Sequence, residues 1–466
     1  MQRGVRAGMP QRRLSRALVV LMGIALVLTP VLVMRPWGPV AAAHAATAER
    51  ASLAAAQQAF SKQQRVGFQS GDDWESSLVT DRFGHVYVMY KHYDVVHGQT
   101  CSGCNLHMLI QRSDDDGVTW SAPRMVAPGK VFHSGQDDAQ LAVDPVDGRT
   151  LYAAFMEGYP KASIVVVKST DFGETWSPEV SVSDRPPTLD KDTLLVHGQE
   201  VAIAYDDGEN TWASISFDGG ITWATHEIFP ADTQFGTSLS AGGGIDSHGN
   251  IFFSWNSFDA AHATSGDGPV TLWVSKSSDQ GQHWTRTIIG TSGAPYPCDS
   301  CGFAYLSAQD AMAIGADDTV YVLYNGTSDM TDFAPERIYL VRSTDGGQTY
   351  SARVDVSDAP AGVEHCFPAL TVGARPGDLR LSWMDERTGA WNVFYRRSPD
   401  GGQTFAPTVR VSSYVPGYSY LTADGFTLPY GDYYQLSVDQ NNQTQMTFGE
   451  GPSWIGPGNI WVAHSI

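Results

Sequence analysis

Residues 169–176 read Ser169-Thr170-Asp171-Phe172-Gly173-Glu174-Thr175-Trp176, and the pattern Ser-x-Asp-x-Gly-x-Thr-Trp recurs along the chain. Five further copies begin at Ser113, Ser216, Ser277, Ser343 and Ser398; the copy at Ser277 has His283 in place of the Thr, and the last two end in Tyr350 and Phe405 in place of the Trp. In each copy the Asp carboxylate can accept hydrogen bonds from nearby backbone N–H and hydroxyl groups, and the Gly supplies a position with positive φ. Six copies of one strand–turn–strand motif predict a repeat fold and assign these Asp residues to turns rather than to catalysis.

Two more strands are predicted upstream of each motif. Apolar, β-branched and aromatic runs such as residues 86–90, 151–155 and 320–324 follow short turns. One unit is therefore four strands, with the motif between the third and the fourth, and successive motifs are 47 to 66 residues apart. The chain has only 17% charged residues and 47 Gly, which favours strands joined by tight turns. We predict an all-β β-propeller of four-stranded blades.

The ends of the chain decide the number of blades. After the sixth motif the sequence offers three more strands, near residues 435–438, 443–448 and 459–464. Residues 65–68 can supply the missing fourth strand, so that both termini close the ring. This gives seven blades, with six as the alternative, and a single propeller domain over residues 65–466.

The first segment is a predicted targeting element. Five arginines (Arg3, Arg6, Arg12, Arg13 and Arg16) precede an apolar run from residue 17 to 34, and small residues follow at 41–45. This order is typical of a secretory signal, but the run is also long enough to act as a membrane anchor. We expect residues 1–45 to be a signal peptide or an anchor, 46–64 to be an Ala/Gln-rich linker, and the body to be extracytoplasmic, secreted or anchored by residues 17–34.

The net charge of −20 argues against nucleic acid as a partner, because an acidic surface repels phosphate backbones. No cofactor is predicted, membrane contact is expected only through the N-terminal segment, and the oligomeric state stays open. The five cysteines include two Cys-x-x-Cys pairs. Outside the cytoplasm, disulfides Cys101–Cys104 and Cys298–Cys301 with Cys366 left over are the simpler interpretation. A zinc site that includes His133 or His365 is the alternative.

The repeated turn is similar to the Asp-box, or bacterial neuraminidase repeat, and the region from residue 65 resembles Asp-box propellers of the sialidase superfamily. Segments such as 383–387 and 430–433 resemble exported sialidase-like bacterial proteins. The Arg-Ile-Pro type motif of true sialidases has no counterpart near the first blade. Asp-box propellers also include proteins with other functions.

The resemblance implies a set of site residues in the loops opposite the Asp-boxes. A family acid/base Asp would be Asp73, with Asp72 and Glu75 nearby. The family nucleophile would be Tyr433, beside Tyr430 and Tyr434, activated by Glu364. Arg387 and Arg337 would bind an acidic group of the substrate.

Two functions follow from this resemblance and stay open at the level of sequence. One is an exo-acting glycoside hydrolase of sialidase type that acts on cell-surface or extracellular glycans. The other is a non-catalytic propeller that binds a glycan or a protein. The acidic and aromatic loops at the ring axis would suit either function.

Overall fold

The structure is a computed structural model and describes residues 60–68, 70–94, 106–128, 135–159, 163–182, 189–230, 232, 234–262, 268–295, 306–327, 331–431, 433–454 and 456–466. Every regular element in these ranges is a β-strand, beginning with β1 (Gln64–Val66). None of the described residues forms a helix that could cross a bilayer.

Six consecutive four-stranded antiparallel sheets follow β1. Blade 1 contains β2 (Asp72–Thr80), β3 (Val86–Tyr93), β4 (Leu106–Ser113) and β5 (Arg124–Met125). Blade 2 contains β6 (Gly135–Val143), β7 (Leu151–Tyr159), β8 (Ser163–Ser169) and β9 (Val180–Ser181). Blade 3 contains β10 (Asp190–His197), β11 (Glu200–Asp206), β12 (Thr211–Ser216) and β13 (Ala224–Phe229).

The next three blades repeat this order. Blade 4 contains β14 (Phe235–Ile245), β15 (Ile251–Asp259), β16 (Val270–Ser277) and β17 (Thr285–Ser292). Blade 5 contains β18 (Asp310–Ile314), β19 (Val320–Thr327), β20 (Glu336–Ser343) and β21 (Val354–Asp355). Blade 6 contains β22 (His365–Val372), β23 (Leu379–Asp385), β24 (Asn392–Ser398) and β25 (Val409–Arg410).

Blade 7 joins the two ends of the chain. It contains β27 (Gln435–Val438), β28 (Thr444–Gly451) and β29 (Asn459–His464), with the short β26 (Leu428–Pro429) also paired to β28. Strand β1 pairs antiparallel with β29, placing Arg65 opposite Trp461. The inner strands contact one another in the circular order β2, β6, β10, β14, β18, β22, β27 and back to β2. The predicted seven-bladed propeller, closed by an N-terminal strand, is confirmed.

The closing segment begins earlier than the sequence predicted. Phe60 already forms a bridge with Ser465, and Ser61 N donates to His464 O at 2.8 Å. The Gln63 amide donates to Glu450 Oε2 at 3.0 Å. Residues 60–64, which the sequence assigned to the linker, therefore pair with the last strand because its edge would otherwise leave backbone groups unpaired.

Each Asp-box is a turn fixed by its own side chains. In the second copy, Asp171 accepts hydrogen bonds from Ser169 Oγ at 2.8 Å, Thr175 N at 2.9 Å and Thr175 Oγ1 at 2.5 Å. Ser169 Oγ accepts from Gly173 N at 2.9 Å. Hydrogen bonds from Thr175 lower the pKa of Asp171 to about 2. The turn lies between the third and fourth strands of the blade, as predicted, and its Asp is a structural residue.

Asp171→Ala is expected to destabilise the chain by about 1–2 kcal/mol, since three donors lose their acceptor in a turn that water reaches only partly. Chemical unfolding measures this loss. Thr175→Ser keeps the hydroxyl group and should change the free energy of unfolding by much less. Equal stability of Asp171→Ala and the parent would contradict the structural role.

Candidate functional site

The inner strands of the seven blades enclose a cavity of about 380 Å³, called here the axial cavity. Its wall includes a belt of apolar side chains, one from each of six blades: Leu78, Leu141, Leu194, Met312, Leu370 and Leu436. Residues closer to the starts of the inner strands form its mouth, at the end opposite the Asp-boxes. Lys191, Gln309, Phe367 and Tyr433 line this mouth, and each lies three residues before a member of the apolar belt.

Backbone bulges set the direction of side chains at the mouth of the cavity. Glu75, Asp138, Lys191 and Phe367 have φ values of 49°, 58°, 53° and 49°, in the left-handed region that non-glycine residues rarely adopt. Each lies at a break in the register between the first two strands of its blade. Bulges re-aim side chains near functional sites, and the same strain in four blades indicates a mouth built to present side chains to the axis.

Asp310, the first residue of β18, is the most unusual group in the cavity wall. Only 5% of its surface is exposed, and neither carboxyl oxygen has a hydrogen-bond partner among the described residues. Burial raises the pKa of Asp310 to about 7, and the nearby Ser254 hydroxyl offsets a part of this shift. A buried carboxyl group without partners is costly and therefore marks a candidate site.

Two more unused acceptors lie beside Asp310. Asn256, on β15 of blade 4, lines the cavity and donates its amide N–H to Ala308 O at 2.9 Å. Its Oδ1 atom and the Ser254 hydroxyl have no partner in the part of the chain that the structure describes. Asp310, Asn256 and Ser254 are called here the acceptor cluster.

The mouth is crossed by a lysine–tyrosine contact. Lys191 lies on β10 of blade 3, and its Nζ is 4.8 Å from the ring centroid of Tyr433, just before β27 of blade 7. Three steps around a ring of seven blades separate the two blades, so the contact spans the axis. A ligand that enters from this end must pass or displace it.

Several acidic side chains lie near the mouth on blades 1 to 3. Glu75 Oε2 accepts from Asp138 N at 3.2 Å, and Lys191 N donates to Asp138 Oδ2 at 2.9 Å. Asp192 is 1% exposed, and burial, together with the charge of Asp138, raises its pKa well above the usual value. Lys91 forms an ion pair with Asp137. Within the described ranges no three His, Cys, Asp or Glu side chains are placed to hold a metal ion.

The five site residues predicted from the sequence lie in three places, and only Tyr433 lines the axial cavity. Asp73 is buried, with Oδ1 2.7 Å from His92 Nδ1 and Oδ2 3.2 Å from Arg65 Nη2. Burial raises the pKa of Asp73, although His92 and Arg65 oppose this shift. Asp73 thus fastens the closing strand β1 to blade 1.

Glu364, Arg337 and Arg387 lie together around β20, β22 and β23. Glu364 accepts from Glu336 N at 3.0 Å, and burial raises its pKa to about 7. Arg337 Nε lies 3.0 Å from Asp355 Oδ2, and its other nitrogens donate to backbone carbonyls.

Arg387 binds two carboxylates at once. Its Nη2 lies 2.7 Å from Asp385 Oδ2, and its Nη1 lies 2.7 Å from Asp358 Oδ1. With Arg337 held in the same way, a substrate anion would have to displace protein acceptors from either guanidinium group.

Several other predicted residues have structural contacts or lie outside the described residues. Tyr430 donates to Asp72 Oδ2 at 2.6 Å, and Tyr434 contacts the Ser382 hydroxyl. Cys366 is a buried free thiol, and His365 is buried against Ser357. The structure does not describe the other four cysteines (Cys101, Cys104, Cys298 and Cys301), nor His133 and Asp432. The disulfide prediction and the zinc alternative therefore stay predictions.

Sequence reasoning missed Asp310 and Asn256 as site residues. The only sequence signal for Asp310 is its place two residues before the apolar belt, where the other blades have Ser76, Ala139, Asp192, Pro368 and Tyr434. This position can be recognised only if the register of the inner strands is known, and the bulges shift that register by one residue. Asn256 lies within an apolar strand and carries no local signal.

Stability should fall as the pH rises from 6.5 to 8. Burial raises the pKa of Asp310 and Glu364 to about 7 and that of Glu450 to about 8. Such a group stabilises the fold fully below its unfolded pKa near 4, and this contribution is lost as the pH rises through the folded value.

Thermal melts at constant ionic strength would measure this fall. Glu450→Gln removes one of the three titrations and should make the fall smaller. A Tm that rises between pH 6.5 and 8 would contradict the expected sign.

Comparisons with known proteins agree with this architecture. A family model described as a BNR repeat-like domain matches residues 53–305. No curated protein matches the chain in sequence. A solved ulvan lyase, a polysaccharide lyase, is 12% identical with a TM-score of 0.51, and the match covers 85% of this chain and 95% of that one.

Two sialidase structures are also similar in fold. A Hadza microbial sialidase is 14% identical with a TM-score of 0.48, over 84% of this chain. The match spans 66% of that sialidase, just under two thirds of its length. The NanB sialidase from Streptococcus pneumoniae is 12% identical with a TM-score of 0.46, over 88% of this chain and 70% of that one. Likeness at these identities concerns the fold alone.

Proposed function

Since the chain belongs to the BNR repeat-like domain family, we propose that it is a glycan-binding propeller whose ligand occupies the mouth of the axial cavity. The observation that carries this proposal is Asp310, a buried carboxyl group in the cavity wall with no described partner. A cavity of about 380 Å³ falls in the range of small-molecule sites, large enough for one or two sugar rings.

The other side chains of the cavity fit this ligand class. Gln140 and Gln435 bring amide groups to the wall, Thr193 and Ser437 bring hydroxyl groups, and Tyr433 brings an aromatic ring. Amides and hydroxyls match the donor and acceptor pattern of sugar hydroxyls, and aromatic rings can pack against sugar C–H faces. A narrow polar site of this kind suits the end of a glycan chain better than a protein surface.

Exo-acting glycoside hydrolysis is the second candidate, favoured by Tyr433 and Asp310 in one cavity. A carboxyl group with a pKa of about 7 is about half protonated at pH 7, and this protonated form can donate a proton to a leaving sugar oxygen. A tyrosine can act as the nucleophile of such a reaction. On this candidate, Tyr433→Phe would abolish turnover and leave the fold intact, since it removes only the hydroxyl group.

A glycan array with the full chain, followed by calorimetry on the best ligand, tests the proposal. Ala311→Phe narrows the axial cavity and should remove binding. Ala313→Phe is the matched control, on the same strand and against the same apolar cluster but outside the cavity lining. Release of sugar from the same ligands tests the hydrolase. Failure of every glycan to bind, or unchanged binding by Ala311→Phe, would refute the cavity as the site.

Export is also part of the proposal, supported by the arginines and the apolar run before residue 35. Fractionation of the producing cells tests it, and recovery only from the cytoplasm would contradict it.

A further inference from the structure

The acceptor cluster contains more hydrogen-bond acceptors than donors. Asp310 contributes two carboxyl oxygens, and Asn256 contributes a carbonyl oxygen, all without partners in the described part of the chain. One of the two amide N–H groups of Asn256 donates to Ala308 O at 2.9 Å. The Ser254 hydroxyl, close enough to Asp310 to offset a part of the rise in its pKa, can donate as well as accept, and so can Asp310 in its protonated form. Unpaired buried acceptors lose their hydration without compensation, so this wall requires donors from a ligand.

The cluster is a built feature, formed where blades 4 and 5 meet. Ser254, Asn256 and Asp310 are 0%, 2% and 5% exposed, so their positions are fixed by packing. A Cβ atom at Gly242 would lie 2.6 Å from Met312 N and 3.0 Å from Ser254 Oγ. Glycine at this position lets β14 pass close to β18 without a side chain covering the cluster.

Lys191 in the cavity lining and the two arginines predicted to bind substrate all have partners elsewhere. Lys191 lies against the Tyr433 ring, and Arg337 and Arg387 are held by Asp355, Asp358 and Asp385. A metal ion is a poor fit, because in the described ranges no three acidic, histidine or cysteine side chains converge. The cation that suits one carboxylate, one amide oxygen and one hydroxyl group is therefore an organic one.

A primary ammonium group has three N–H donors and no acceptor, which matches the three acceptor side chains of the cluster. An acetamido group in its place has one donor, an acceptor and a methyl group, so it would pair with one acceptor at most and would leave the charge of the carboxylate uncompensated. The chain's net charge of −20 also draws cationic polymers towards the protein and repels anionic ones.

From this geometry we infer that Asp310, Asn256 and Ser254 select glycans that carry a free amino group, such as glucosamine units, over their N-acetylated forms. The inference rests on the proposed glycan-binding function of the axial cavity. A bound ammonium group lowers the pKa of Asp310, so that binding ionises this carboxyl group.

Calorimetry at pH 7.5 with a glucosamine trimer and an N-acetylglucosamine trimer tests the inference on the full chain. We expect the amino trimer to bind about 10- to 100-fold more tightly, as a charge-assisted hydrogen bond allows, and to weaken with added salt. Asp310→Asn should remove most of this preference, and Ser254→Ala should reduce it by a smaller factor. Glu450→Gln is the matched control, since it replaces a buried carboxyl group outside the cavity lining by an amide.

Amine selection and glycan binding would be contradicted by different results. Equal binding of both trimers, or an unchanged preference in both Asp310→Asn and Ser254→Ala, would overturn amine selection while glycan binding stands. Absence of binding by every glycan of the array would overturn the proposed function itself. Thermal melts of each variant show that it is folded before its affinity is interpreted.

Discussion

In the Gly458→Ala variant we expect blade 7 to lose its packing, at a cost of about 3 kcal/mol or more. A Cβ atom at this position would lie 1.6 Å from Tyr430 Cε1 and 1.7 Å from its Cδ1. The Tyr430 side chain is fully buried and has little room to move aside, because Gly451 lies against its ring and Gly456 lies against its hydroxyl group. Glycine is needed here for the close approach of a ring rather than for a special φ.

The same contact fastens the last blade to the first. Tyr430 Oη donates to Asp72 Oδ2 at 2.6 Å, and Gly458 N donates to Asp72 Oδ1 at 2.5 Å. Displacing Tyr430 therefore also removes one donor from a buried carboxylate, which adds to the cost. Chemical unfolding measures the loss.

Gly326→Ala is the control for this variant, since its nearest side-chain atoms would be 3.5 Å away, at ordinary contact distance. A Gly458→Ala chain as stable as Gly326→Ala would show that the Tyr430 pocket can relax.

Removal of residues 1–67 is expected to open the ring, whereas removal of residues 1–59 should leave it closed. The longer deletion takes away β1, which pairs with β29 at Ile460–Val462, and the buried side chains of Phe60 and Val66. Burial of two such apolar side chains is worth about 3–6 kcal/mol. The longer deletion also removes the hydrogen bond from Gln63 to Glu450 and the contact between Arg65 and Asp73.

An opened ring exposes the edge of β29, and exposed edges pair with other chains. We therefore expect a lower Tm and self-association in light scattering for the longer deletion only. A monomeric chain with the parent Tm after removal of residues 1–67 would contradict closure by β1.

The sequence alone determined the repeat and the closure. The hydrogen bonds of an Asp-box join residues at most four positions apart, such as Ser169, Asp171 and Thr175, so the turn can be recognised from a local pattern. Counting the turns and finding three unmatched strands at the C-terminal end then predicted a seven-bladed ring. The resemblance to Asp-box propellers followed from the same residues and is confirmed by the family match.

Only the tertiary structure decided which polar groups lack partners. Arg387 could be named from the sequence, but its pairing with Asp385 and Asp358 depends on how blade 6 packs. Tyr433 reaches the axis and Asp73 does not, since bulges at the starts of the inner strands break the simple alternation of side chains. Asn256 and Asp310 come from neighbouring blades 54 residues apart in the sequence. Among the described residues these two side chains keep acceptors without partners because two separate sheets meet there, and a contact between separate sheets leaves no local pattern in the sequence.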